Sequence, residues 1–139
     1  MFVLDTNHLW EFSTGTQLGR RLRDRVQKAG ELVVISIISA EEGLRGWLAK
    51  IASVPHVGQQ VLGYDQLNRL LTTLNHFVRL PWDAEAAARF RDFREQGIRI
   101  STMDLKIACI TLEHDATILT RNTSDFAKVP GLKYENWLD

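Results

Sequence analysis

Phe2-Val3-Leu4-Asp5 is a short β-prone run halted by a carboxylate, and Leu32-Val33-Val34-Ile35-Ser36-Ile37 is a longer run dominated by branched side chains. Both have the character of buried strands, because branched apolar residues suit a pleated surface covered on both faces. Between them Leu18, Leu22 and Val26 recur at every fourth position of an Arg-rich segment that closes on Gly30. That is the pattern of an amphipathic helix with a glycine stop. The unit reads strand, helix, strand, which is how two parallel strands are joined.

The pattern continues downstream. Ser39 is expected to open a helix running to about Lys50. A second helix follows Pro55, with Leu67, Leu70, Leu71, Leu74 and Phe77 as its buried stripe, so the two read as a helical hairpin. Val78-Arg79-Leu80 reads as a brief strand before Pro81. Asp83 is placed as the N-cap of a helix ending at Gly97, and another helix is expected from near Ser101 to about His114. Ala116-Thr117-Ile118-Leu119-Thr120 is the clearest late strand, and Lys133 to Trp137 a weaker last one. No repeat, linker or low-complexity tract interrupts the chain. The alternation predicts an α/β fold, a mainly parallel central sheet flanked by helices on both faces, in a single domain spanning residues 1–139.

Composition narrows the classes. With 45% hydrophobic and 24% charged residues the chain is an ordinary globular one. Its formal net charge of +0 argues against strong nonspecific attraction to phosphate, although Arg20, Arg21, Arg23, Arg25 and Lys28 cluster in one segment and Arg89, Arg91, Arg94 and Arg99 in another. The single cysteine, Cys109, lies among Ile107, Ala108, Ile110 and Leu112 and reads as a core residue. Met1-Phe2-Val3-Leu4-Asp5 lacks the basic leader and apolar length of a signal peptide. The longest apolar stretch is far short of the roughly 20 residues that span a bilayer. A cytoplasmic protein with no membrane partner is expected.

Open parallel sheets collect ligands beyond the carboxyl ends of their strands. Asp5 follows the first strand, Glu42 and Asp104 lie in the first turns of the helices opening near Ser39 and Ser101, and Asp125 follows the late strand. Four carboxylates from distant parts of the chain are thus expected at one sheet edge. Gathered there, they raise one another's pKa unless a cation shares them. Oxygen ligands without zinc-like spacing of His8, His56, His76, His114 or Cys109 favour Mg²⁺ or Mn²⁺. Each acid also has a structural reading. Ser39 to Glu42 and Ser101 to Asp104 have capping-box spacing, Asp5 suits an Asx turn with Thr6 or Asn7, Asp125 suits an ordinary loop, and Glu41 stands beside Glu42.

Four stretches resemble one family. Val3-Leu4-Asp5-Thr6-Asn7 is similar to the opening of a PIN domain, and Ser36-Ile37-Ile38-Ser39-Ala40-Glu41-Glu42 with Gly46 resembles its second motif. Asp104-Leu105-Lys106-Ile107-Ala108 resembles its Asp-x-x-Ile-Ala helix. Thr120-Arg121-Asn122-Thr123-Ser124-Asp125-Phe126 with Pro130-Gly131-Leu132 resembles its closing segment. They follow in family order over nearly the whole chain. Gly43 and Arg45 depart from the second motif, where larger apolar residues are usual.

The resemblance, to VapC-type toxins among the short members, implies a PIN-like α/β/α sandwich and a metal-dependent ribonuclease. In it Asp5, Glu42 and Asp104 would hold Mg²⁺ or Mn²⁺, with Asp125 or Asn122 as the fourth position. Thr6, Asn7 and Arg121 are second-rank or phosphate-contacting candidates. It further implies an RNA substrate, a small antitoxin partner and a homodimer, with Trp10, Phe12, Trp47 and Leu48 as apolar material for such surfaces. The alternatives are a housekeeping PIN nuclease and a PIN-like RNA- or protein-binding module without catalysis. Phosphotransferases of the haloacid-dehalogenase or receiver kind need a second acid where this chain has Asn7, and no glycine-rich dinucleotide turn follows the first strand.

Overall fold

Alternate residues of the strands point into two different apolar layers, and this divides the molecule. In the computed structural model, which describes residues 1–139, Val3, Val34 and Ile118 enter one core while Phe2, Leu4, Ile35 and Leu119 enter the other. A period of two on a fully covered sheet produces this split. The strands are β1 (Phe2–Leu4), β2 (Val33–Ser36), β3 (Arg79–Leu80), β4 (Thr117–Leu119) and β5 (Lys133–Glu135), ordered β3-β2-β1-β4-β5 and all parallel. The register pairs Leu4 with Ile35 on one side and with Leu119 on the other. The residues that follow these strands therefore leave the sheet together at its carboxyl edge.

Between and after the strands come α1 (Thr6–Ser13), α2 (Gln17–Ala29), α3 (Ile37–Ala52), α4 (Val61–Asn75), α5 (Ala84–Glu95), α6 (Thr102–Glu113) and the short α7 (Thr123–Phe126). Leu9 of α1, Ala40 of α3 and Leu74 of α4 close one layer; α5 and α6 supply Ala86, Phe93, Leu105, Ile107 and Ile110 to the other. In α6 the run from Ile107 to Thr111 is buried throughout, as a helix enclosed on nearly every side must be. Cys109 lies in that run, a core residue as its neighbours predicted, and burial pushes its thiol pKa up to about 12. No helix is long and apolar enough to cross a membrane.

Several boundaries differ from the sequence reading, each for a local reason. The hairpin helix α3 starts at Ile37, because the Ser36 hydroxyl caps it by accepting from the Ser39 amide. Ser39 is therefore inside the helix, Glu42 sits in its second turn, and the capping-box reading of Ser39 to Glu42 falls. The periodicity also missed α1, which follows β1 directly with Asp5 as its N-cap. Gly19 makes the tight α1–α2 corner possible, since a Cβ there would lie 2.2 Å from the Glu11 carbonyl oxygen. On α4, Leu70 and Leu74 pack inward, as does Phe77 just past its end, but Leu71 is exposed. The last strand ends at Glu135 because the Trp137 amide donates to buried His8 Nε2, 3.2 Å away, and not to the sheet.

Candidate active site

At the carboxyl edge a continuous hydrogen-bonded path joins the acids that the sequence singled out. Asp5, almost fully buried, accepts from the Thr6 amide at 2.7 Å through Oδ1 and from the Thr120 hydroxyl at 2.8 Å through Oδ2. The Thr6 hydroxyl turns the other way and donates to Glu42 Oε1 at 2.9 Å. Thr120 Oγ1 accepts from the Asn122 amide at 2.9 Å. The Asn122 side-chain amide then donates to Asp104 Oδ2 at 3.0 Å and to Asp125 Oδ2 at 2.9 Å. The path from Glu42 to Asp125 thus passes through Thr6, Asp5, Thr120 and Asn122, with neutral donors between the charges.

Local folding places each member. β1 delivers Asp5 to the edge, and capping α1 fixes its rotamer. Asp104 stands in the first turn of α6, whose N-cap Ser101 accepts from the Asp104 amide at 3.2 Å. This is the capping geometry its spacing predicted, and the carboxylate still faces Asn122. Glu41 pairs with Arg45 on the outer face of α3, which leaves Glu42 as the acid turned toward Thr6. Gly43 also finds its reason here: a Cβ on it would press within 3.1 Å of Leu70 on α4.

The electrostatics follow from crowding and burial. Burial raises the Asp5 pKa above the ordinary carboxylate value against its two hydrogen bonds, and the charge of Asp104 adds to the rise. Glu42 is raised by burial, opposed by Thr6, and raised further by Asp5 and Asp104. Asp104 is raised by burial and by Asp125 against Ser101 and Asn122. Asp125, at the exposed end of the path, is instead lowered, by Asn122 first and then by Lys128. Three carboxyls raised first by burial and then by neighbouring negative charge make a site that a cation relieves.

A model of the PIN domain matches residues 2–132. The chain belongs to the PIN-domain family. This PIN domain is similar in fold to a chain of VapBC2 from Rickettsia felis, solved bound to a promoter DNA fragment, at 19% identity, 98% coverage of both chains and a TM-score of 0.73. It is similarly related to DNA-bound VapBC from Salmonella typhimurium, at 20% identity over 98% of this chain and 97% of that one, with a TM-score of 0.74. A toxin–antitoxin complex from Klebsiella pneumoniae matches at 24% identity over 95% of each chain, with a TM-score of 0.68. Among curated proteins none matches by sequence.

Other candidates in this PIN domain stand apart from the path. Asn7 is exposed and its side chain makes no hydrogen bond, while the Arg121 guanidinium is turned to Asp139 at 3.4 Å. Of the arginine clusters, Arg23 and Arg94 hold backbone carbonyls and Arg25 lies over the Trp137 ring. Sequence reading missed the site role of Thr120, whose signal was its position one residue past the strand that pairs with β1. No three or more acids, histidines or cysteines are grouped tightly enough to ligate one ion directly. The donor set is nonetheless all oxygen, which suits a hard dication that keeps much of its water and takes only one or two carboxylates.

Proposed function

We propose that this PIN domain, acting as one unit over residues 1–139, is a Mg²⁺- or Mn²⁺-dependent endoribonuclease and the toxin of a toxin–antitoxin pair. The observation that carries the reading is the bonded path tying Asp5, Glu42 and Asp104 together while their pKa values are pushed up. Similarity to chains from VapBC structures and from a toxin–antitoxin complex supports an antitoxin partner; a homodimer and a cytoplasmic setting belong to the same reading.

Asp5, Glu42 and Asp104 would hold the cation, with Asp125 and Asn122 at the outer end of the site. When bound, it supplies positive charge to offset that on the nonbridging oxygens of the scissile phosphodiester. Thr6 and Thr120 orient Asp5. Glu42 has one oxygen committed to Thr6, and its Oε2 is free to take the proton of an attacking water. Asn122 fixes the rotamers of Asp104 and Asp125 without adding a negative charge. Because all three central acids have raised pKa values, they take up protons at a higher pH than ordinary carboxylates. Metal affinity and cleavage therefore fall on acidification, beginning above the usual carboxylate range.

The test is to incubate the protein with total cellular RNA, with and without Mn²⁺, and to map new ends. Cleavage that needs Mn²⁺ and stops in EDTA is expected. Cleavage that persists in excess EDTA, or in an Asp5→Asn variant, overturns the mechanism. A PIN fold kept for binding alone is favoured by one observation, the neutral Asn122 amide between Asp104 and Asp125. It requires that Mn²⁺ leave the melting temperature unchanged, whereas binding to the native state alone raises it.

A further inference from the structure

Beside the acids, α1, α3 and α4 enclose a cleft of about 560 Å³ with Thr6 and Glu42 in its wall, so it opens directly onto the candidate site. Gly15 and Gly46 are among its lining residues, and a Cβ added at either would face open space. Trp10 stands over it half exposed, against Trp47, with ring centroids 5.9 Å apart and planes 30° from parallel. Lys50 Nζ lies 5.1 Å from the centre of the Trp47 ring, and Arg69 lines the same cleft.

Two contrasts identify what this cleft takes. Elsewhere the fold uses many of its cations: Arg23 and Arg94 hold carbonyls, and Arg45, Arg121, Lys128 and Lys133 pair with carboxylates. Lys50 and Arg69 make no ion pair and no side-chain hydrogen bond, so although Lys50 lies over the Trp47 ring and Glu42 stands in the same wall, both cations keep their donors for a ligand. The companion apolar residues noted in the sequence behave differently as well. Phe12 is spent on Phe77 at 5.2 Å, and Leu48 lines a separate depression with Ile37, whereas the two indoles stay open to the cleft. Exposed aromatic faces beside free cations, on a path leading to phosphodiester chemistry, are how single-stranded nucleic acids are held without base pairing.

We propose that this cleft is a nucleotide subsite, in which an unpaired base of single-stranded RNA stacks on the Trp10–Trp47 platform while the adjoining phosphate lies against Lys50 and Arg69. The gap between the indoles is too narrow for a base, which needs about 7 Å between flanking rings, so stacking is on the outer side of the pair. The RNA class rests on the nuclease reading; the platform and its charges do not. The subsite selects flexible, unpaired segments, because bases inside a duplex are already stacked.

The experiment is fluorescence anisotropy with a labelled single-stranded oligoribonucleotide of about ten nucleotides, in EDTA so that cleavage is silent. Trp10→Ala weakens binding roughly tenfold, Trp10→Phe restores most of it, and Trp10→Leu does not. Lys50→Ala and Arg69→Ala each flatten the dependence of log affinity on log salt by about 0.7. Trp10-dependent binding in a protein that never cleaves RNA refutes the nuclease reading and leaves the subsite standing. Metal-dependent cleavage with oligonucleotide affinity indifferent to Trp10→Ala does the reverse. Equal binding by Trp10→Phe and Trp10→Leu, or loss of a copurifying protein partner with RNA affinity unchanged in Trp10→Ala, also overturns the proposal.

Discussion

The two ends of α6 carry acids in opposite circumstances. At its N-terminal end Asp104 accepts from the neutral Asn122 amide, Ser101 caps its backbone amide, and it stands where the helix dipole favours negative charge. At the other end, roughly 14 Å away along the helix, Glu113 lies near Asp83 and Glu85 with no comparable set of donors. Burial and then Asp83 push its pKa to about 7. Around it Arg89 Nε, Glu113 Oε2 and His114 Nε2 are buried without a hydrogen-bond partner. Raised pKa values alone do not mark a site, since both ends have them. What separates the two is a connected set of neutral hydroxyls and amides that hold several carboxylates in place at the carboxyl edge of the sheet.

Charge removal at each end of α6 gives the largest expected difference. Asp104→Asn is expected to reduce RNA cleavage by at least ~100-fold, since even groups that only orient metal ligands cost 10–100-fold, while Glu113→Gln leaves it unchanged. Initial rates on one RNA at saturating Mn²⁺ measure both, and equal losses would erase the distinction. The role of the neutral donors is sharpened by Thr120→Val, which keeps shape but strips Asp5 of a donor and the Asn122 amide of an acceptor. Cleavage should drop roughly 10-fold or more, with unfolding free energy lower by about 1–3 kcal/mol. Unchanged cleavage in a folded Thr120→Val protein would mean that Asp5 needs no orientation from β4.

The smallest effect lies at the far end. Glu113 has a folded pKa of about 7 against an ordinary 4.5, so the folded state holds its proton more tightly than the unfolded chain does. Stability from this group is complete below 4.5 and declines as pH rises toward 7. Urea titrations at pH 5 and pH 8 should show a modest loss in the wild type that Glu113→Gln removes. The same loss in both proteins would assign the pH dependence to other groups.

The sheet was legible because its strands are short apolar runs ended by polar residues, and because Leu18, Leu22 and Val26 keep helical spacing between the first two. Asp5, Glu42 and Asp104 were legible from position, each just past a strand or near the start of a helix. The start of α3 was not, because Ile37 and Ile38 continue the branched pattern of β2 while a hydroxyl on the preceding residue turns the chain into a helix. Helix α1 has only 8 residues, too few for propensity to declare it; burial of His8 and Leu9 against the sheet stabilises it instead. Thr120 was invisible as a site residue because its meaning lies in a neighbour distant in sequence. The cleft escaped too, since the facing of Trp10 and Trp47 depends on how α1 crosses α3.

Thr120 and Asp5 lie 115 positions apart in the chain, and this spacing has a temporal consequence. β1 is flanked by β2, made soon after it, and by β4, made only after helices α1 to α6 have emerged. Until β4 inserts, Asp5 lacks one of its two donors, and the Asn122 link to Asp104 does not exist. A chain grown only through β1, β2 and β3 therefore has an unfinished site, completed by the strand made after all three.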